Sequence, residues 1–331
     1  MIAASLADTK RPARLSLEQL RHLAEDGAER WPALDLDTPI DATREFIAPE
    51  LTPLFYTESF SSLTPPQALR YNQLMGIASS EVIHYFEEVF TGNVLPALLR
   101  RGDLPAPLAA CLRAFLAEEE RHMGMWRALL GCSDPRRPEG SRYRYAGLSR
   151  TAHRVLAAVC ASPERFPFVF WVILAQEELS IHAARRCAAM ERGRLEPHFA
   201  AAYRAHVVDE ARHVQLDWHL IERFYAPLPA LWRRANAAVL RCLFRQFLVS
   251  PRRAAARVVR TLALEHPALE PLLPRMLEEL RRLGANRRYQ AALYSRRSHP
   301  ITFALFDRFP EMRRMTRVLS SYAPEERGGA P

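Results

Sequence analysis

Two short stretches hold the residues best suited to chemistry: Glu118-Glu119-Glu120-Arg121-His122 and Asp209-Glu210-Ala211-Arg212-His213. Each reads acid, Glu, any residue, Arg, His. On a helix, the i, i+3 pairs Glu119–His122 and Glu210–His213 each share one face, so a carboxylate and an imidazole can ligate one metal ion together. The likeness continues upstream. Gly102 and Gly193 lie 17 residues before Glu119 and Glu210, and Glu87 and Glu178 lie 15 residues before those glycines. Each lone glutamate therefore precedes its Glu-x-x-His by 32 residues, which in an antiparallel helix pair sets the two roughly level. One Glu from each of two helices plus Glu-x-x-His from each of the other two is the pattern of a two-metal site inside a four-helix bundle. Glu81 and Glu88 are alternatives to Glu87, and Glu177 is an alternative to Glu178.

The donor chemistry narrows the metal. Carboxylates and imidazoles without thiolates suit iron or manganese with open positions better than structural zinc. A single Glu-x-x-His is common on surface helices. Two copies with matching neighbours are not, and both sit in apolar surroundings (Ala114-Phe115-Leu116 beside one; Tyr203, Val207, Val208, Val214 and Leu216 around the other). Acids buried there would be costly unless paired or metal-bound. His206 adds a third imidazole, because His206, Glu210 and His213 (i, i+4, i+7) lie along one stripe. Glu118 and Asp209 are expected to accept hydrogen bonds from the outer N–H groups of the ligand histidines, and Arg121 and Arg212 to pair with those acids.

The elements that must position these residues are helices. From Pro65 onward the apolar spacing is helical almost without a break. Helices are expected from about Pro65 toward Arg101 with a bend near Gly92-Asn93 and Pro96, from Pro107 to Leu130, from Ser149 to Ala161, from Pro163 to Arg192, and from Pro197 to Phe224. Three more amphipathic helices are expected from about Ala230 to Arg297, punctuated by Pro251, Pro267 and Pro271. Near the N-terminus, Ser16 and Gln19 form a capping box for a helix from Ser16 to Asp26. No strand pair is visible. The expected fold is all-α, a ferritin-like four-helix bundle over residues 65–226, with an N-terminal arm and connector at 1–64 and additional C-terminal helices at 227–331 that pack on the bundle. A polar loop is expected over 131–147 and a loose tail from Ser321.

Composition excludes several classes. With 331 residues, 49% of them hydrophobic, wholesale disorder is ruled out. No apolar run approaches the roughly 18 residues of a membrane span, and Met1 to Arg14 lacks a signal-peptide pattern. The net charge of +9 comes from 46 basic residues, all arginine except Lys10 and scattered in short pairs, so nucleic acid is not the expected partner. The five cysteines show no CxxC spacing and read as buried small hydrophobes in a reducing cytosol. With 12 glycines, and neither a GxGxxG nor a P-loop, the chain offers no nucleotide or flavin cradle.

The motifs EEERH at 118–122, HVVDEARH at 206–213 and QEE at 176–178 resemble, as a set, the AurF-like di-iron N-oxygenases, named for p-aminobenzoate N-oxygenase. The resemblance spans about residues 65 to 300. It implies a bundle that binds two irons at a histidine-rich site and uses O2 to oxidise an aromatic amine toward hydroxylamine and nitro products. Glu119, His122, Glu178, His206, Glu210 and His213 would be ligands, with Glu87 as the first-helix glutamate, where the match is weakest. An external electron donor, a reductase or ferredoxin, is expected. For the carboxylate of an arylamine acid, Arg296 and Arg297, followed by His299, are candidate partners on a C-terminal segment that also carries Tyr289 and Tyr294. His84, Tyr85, Trp126, Trp171 and Tyr203 read either as cavity lining or as core. Apolar positions Leu231, Ala235, Val239, Leu243 and Phe247 are compatible with a homodimer. The competing readings are a di-iron hydroxylase or desaturase acting on carbon, because the same ligands serve several chemistries, and a ferritin-like iron-binding protein.

Overall fold

The computed structural model describes residues 13–28, 38–134, 143–249 and 252–324. It is all-α, consistent with a ferritin-like bundle. Among the described residues there is no strand, only an isolated bridge between Glu45 and Leu195. Among the described residues, no helix is long and apolar enough to cross a membrane.

Four long rods form the centre. The first is α3 (Pro65–Phe86), which continues through a π-helical turn, Glu87–Thr91, into α4 (Gly92–Leu99). The others are α5 (Ala106–Ser133), α7 (Phe168–Ala188) and α8 (Pro197–Leu220). Helix α5 packs against α3, α4 and α8, and α7 packs against α8. Each start has a local cause. Thr64 and Gln67 make a capping box ahead of the two prolines of α3. Pro105 precedes α5. Glu196 accepts the N–H groups of His198 and Phe199 at 2.8 and 3.0 Å at the head of α8.

The bend expected near Gly92 is the π turn. There the Glu87 carbonyl receives the N–H of Gly92, five residues on. A Cβ on Gly92 would stand 3.1 Å from that carbonyl oxygen, so glycine keeps the turn tight. Helix α7 is shorter than expected at both ends. Pro167 fixes its start, and it ends at Ala188, leaving Gly193 (φ +88°) to turn the chain toward α8.

Around this centre lie α1 (Leu17–Ala28) against α5 and α8, and α6 (Arg150–Cys160) against the π turn. The Ser16–Gln19 box is present at the head of α1. The connector at 46–64 folds into short helical turns, including α2 (Glu58–Ser61), and is pinned by Asn72, which accepts the N–H of Phe46 and donates to the Ile47 carbonyl. After α8, another π turn (Ile221–Tyr225) leads to α9 (Ala230–Leu243), α10 (Arg252–Glu265), α11 (Leu273–Arg282), α12 (Arg287–Leu293) and α13 (Pro300–Arg308). Helices α9 and α13 lie on α7, and α10 lies on α3.

The C-terminal region thus holds more and shorter helices than the three expected. Pro267 and Pro271 sit in a 3-10 segment rather than merely separating helices. The tail is packed as far as Tyr322, which is 3% exposed and donates to Asp307. Most of the loop expected at 131–147 lies outside the described residues. Of the cysteines, Cys111, Cys160 and Cys187 are buried as expected, whereas Cys132 and Cys242 are exposed.

Candidate metal centre

The two Glu-x-x-His motifs face one another across α5 and α8, fully inside the bundle. Glu119, His122, Glu210 and His213 form one group of potential ligands, and Glu87, His122 and His206 form a second that shares His122. All six residues are at most 2% exposed. Glu119 Oε1 and Glu210 Oε1 lie at the middle. His122 Nδ1 stands 3.3 and 3.5 Å from them, and His213 Nδ1 stands 3.4 and 3.6 Å from them. His206 Nε2 is 3.0 Å from Glu210 Oε1 and 2.9 Å from Glu87 Oε1.

The outer edges of the two motif histidines are held crosswise. His122 Nε2 is 3.3 Å from Asp209 Oδ2 on the facing helix, and His213 Nε2 is 2.8 Å from Glu118 Oε2. Arg212 joins the two acids, donating to Glu118 Oε1 at 2.5 Å and to Asp209, while Arg121 lies 3.7 Å from Asp209. The acid before each Glu therefore braces the histidine of the other motif. Each imidazole, with an N–H committed outward, turns Nδ1 inward, as a ligating histidine requires.

The electrostatics describe a site with too much charge for its burial. Burial and the neighbouring Glu119 and Glu210 carboxylates raise the Glu87 pKa well above the usual range. Burial also raises that of Glu210, although His213 opposes it. Burial would raise Glu119, but His122 and His213 bring it down. Burial alone would lower His122; the hydrogen bonds it gives to the Asp209 and Glu119 carboxylates carry it up to about 9. Burial would raise Asp209 too, yet His122, His213 and Arg212 hold it down at about 2. His206 is lowered well below its ordinary value by burial and by the other two imidazoles, so it is neutral.

The donor set passes a test of fit for metal. Glu87 Oε2, Glu119 Oε1, both Glu210 oxygens and His213 Nδ1 are buried without a hydrogen-bond partner. Buried polar atoms are seldom left so, and these belong to the two ligand groups. A pair of cations would satisfy all of them at once.

The alternatives for the first-helix glutamate are occupied elsewhere. Glu81 accepts the N–H groups of Arg144 and Tyr145 at 2.9 and 2.6 Å and anchors the segment after the polar loop. Glu88 receives the Tyr143 hydroxyl, which also meets His84 at 2.6 Å. Glu178 stands apart from the six. Its carboxylate accepts the N–H groups of Ile301 and Thr302 at 2.7 and 2.9 Å, at the head of α13, and burial raises its pKa to about 7 against those bonds. Glu177 is buried on α7 and belongs to neither ligand group.

Arg296 is likewise committed. It pairs with Asp307 at 2.8 Å and donates to the Ala323 carbonyl, while Arg297 is exposed. His299 is buried between Ser298 and the Ala175 carbonyl and is lowered to about 3 by burial.

Three residues at the site carry no part in the motif argument. The Thr91 hydroxyl, in the π turn, lies 2.6 Å from Glu119 Oε2 and 2.7 Å from the Glu87 carbonyl. Trp126 donates to Glu87 Oε1 at 3.2 Å and packs edge-on to His206. Asp217 is fully buried with neither oxygen hydrogen-bonded. Spacing could have shown them, since Thr91, Trp126 and Asp217 each follow Glu87, His122 or His213 by four residues.

A profile of the family described as P-aminobenzoate N-oxygenase AurF matches residues 16–270. No curated protein matches the chain.

Proposed function

Since the chain belongs to the P-aminobenzoate N-oxygenase AurF family, we propose that it is a di-iron monooxygenase that uses O2 to oxidise the nitrogen of a small aromatic amine. The observation that carries this reading is the buried meeting of Glu87, Glu119, His122, His206, Glu210 and His213, with orphaned donor atoms among them. These six would hold two irons, which when bound supply the O2 chemistry.

The rest of the mechanism belongs to the chain's own residues. Asp209 and Glu118 orient His122 and His213 and fix which ring nitrogen faces inward. Arg212 donates to both acids and so holds them in place, and Arg121 lies beside Asp209. Thr91 engages Glu119 Oε2 and leaves Oε1 to face the centre. Trp126 steadies Glu87 from the side of His206, and Phe115 stacks on His213 with ring centroids 3.8 Å apart. These aromatic walls keep bulk water from the site, which strengthens each electrostatic interaction within it and limits side reactions. Electrons enter from a separate donor, because the sequence holds no nucleotide or flavin motif. Arg296 pairs with Asp307, so its charge is engaged within the fold.

The test is an anaerobic ferrous titration followed by O2 uptake with and without p-aminobenzoate. Two irons per chain and amine-dependent formation of hydroxylamine or nitro product are expected. Product oxidised on carbon would transfer the reading to a hydroxylase. Iron uptake with no amine-dependent turnover would make it an iron-binding protein.

A further inference from the structure

From Arg223 to Leu264 the chain carries nine arginines and no aspartate or glutamate. Helix α9 lies within this run. It buries Asn236, Ala237 and Leu240 against the bundle, and Phe244 follows them on the π turn after the helix. The other side shows the opposite of a solvated face. Leu231, Trp232, Val239 and Phe247 are 74%, 61%, 42% and 43% exposed, with the small residues Ala235 and Ala238 exposed between them. Four of the nine large apolar residues exposed among the described residues therefore fall within this single 17-residue stretch. Grouped exposed apolar surface marks an interaction site, whereas scattered residues do not.

The rim of this patch is guanidinium. Arg234 and Arg245 are exposed on the same segment, Arg241 is half-buried, and Arg314 and Arg317 belong to the last 3-10 turn. Burial, and then repulsion from Arg314, Arg317 and Arg245, lowers the Arg241 pKa, which places these four positive groups close together. Among the described residues, none of the five rim arginines has a carboxylate partner. An apolar centre inside a one-sign rim selects its occupant. A second copy docking about a two-fold axis would set this patch against itself, arginine facing arginine. An acidic protein surface meets both the charge and the apolar stripe.

We propose that this α9 face docks an acidic protein, namely the one-electron carrier on which the oxygenase depends. The docking rests on the patch; naming the occupant an electron carrier rests on the function proposed above. The position suits that role. Helix α9 lies directly on α7, which packs against α8.

The test uses the full chain and a plant-type 2Fe–2S ferredoxin of net negative charge as the probe. Binding is measured by interferometry at low and at physiological ionic strength. The expected result is binding that weakens with salt and falls about tenfold or more in the double variant R241E/R245E and in Trp232→Glu. Arg154→Glu, exposed on α6, which packs against the first π turn and is not part of the patch, should bind as wild type does, and helical circular dichroism should be unchanged in all variants. No binding, or binding indifferent to the patch variants, overturns the proposal. So does a concentration-dependent dimer abolished by Trp232→Glu, which would make the occupant a second copy. Co-sedimentation with phosphatidylglycerol vesicles that R241E/R245E abolishes, without ferredoxin binding, overturns it in favour of lipid. Binding is read on the metal-free chain as well, so failure to load iron would sink the proposed function and leave this measurement to stand or fall by itself.

Discussion

Thr91→Val should weaken ferrous binding by about ten- to a hundredfold without unfolding the bundle. The Thr91 hydroxyl has two acceptors within reach, Glu119 Oε2 at 2.6 Å and the Glu87 carbonyl at 2.7 Å, and only one proton to give. The charged carboxylate is the stronger acceptor of the two, so the hydroxyl proton goes to Glu119. A hydrogen bond to a charged group contributes about 1.5–3 kcal/mol, and 1.4 kcal/mol corresponds to about tenfold in an equilibrium constant. Valine keeps the shape and removes the donor from a fully buried carboxylate. Two effects then act in the same direction. Glu119 holds a proton more tightly, which competes with metal, and its Oε2 is no longer held away from the centre. The assay is anaerobic equilibrium dialysis with ferrous ion between pH 6 and 8, alongside Thr91→Ser as the variant that restores the hydroxyl. The loss should be largest at the acid end. If Thr91→Val binds iron as tightly as the serine variant at every pH, the hydrogen bond has no part in shaping the site.

Further outcomes follow from the same geometry. Glu119→Ala and His213→Ala should each lose bound iron and turnover while keeping helix content by circular dichroism; two irons and full activity in His213→Ala would remove it from the ligand set. His206→Ala should be milder and retain part of the metal, because its loss leaves the four-residue group Glu119, His122, Glu210 and His213 complete. Iron loading should release protons near neutral pH, since His122 titrates at about 9 in the metal-free chain and Glu87 and Glu210 are raised. Affinity should therefore climb from pH 6 to 8, and a flat profile in a pH-stat titration would contradict these protonation states. Glu178, raised by burial to about 7, has a folded value above its unfolded one, so the stability it contributes is present in acid and is lost as pH rises through about 7. The shift from 4.5 sets a scale of about 3 kcal/mol at full ionisation. Glu178→Gln should flatten the fall in thermal stability of the metal-free chain between pH 5 and 8, and an unchanged slope would show that Glu178 does not titrate there.

What was legible in the sequence was what helical periodicity can encode. Spacing and a repeat single out Glu119, His122, Glu210 and His213, and the fold brings the four together, because i, i+3 geometry is local and survives any packing of the rods. The crosswise bracing by Glu118 and Asp209 was foreseen as a role. That each acid serves the facing helix depends on how α5 and α8 cross, which no single stretch records. Glu87 illustrates the limit on the first helix. Glu81, Glu87 and Glu88 are equally acidic in the sequence, and the choice among them is made by the Tyr143–Tyr145 segment, which occupies Glu81 and Glu88. Glu178 shows the same limit from the other side. The 32-residue repeat sets it level with Glu210, but α13 arrives from more than a hundred residues away and presents two N–H groups to its carboxylate. Arg296 was proposed for substrate on its charge, and Asp307, eleven residues later, had already taken that charge up.

The arrangement ties folding to loading. Six ionisable side chains are packed where water cannot reach them, and several of their carboxylate and imidazole atoms lack a hydrogen-bond partner. The two acids of the outer layer are better supplied, because Glu118 and Asp209 share Arg212 and each holds a histidine. Removing Arg212 would therefore leave two buried acids with one fewer cation, and both would turn toward His122 and His213. The imidazoles would be held more firmly as imidazolium and would bind metal less well. The bridge that looks most structural would thus govern whether Nδ1 of each motif histidine is available as a lone pair, even though among the described residues its guanidinium donates to Asp209, Glu118 and the Val208 carbonyl alone.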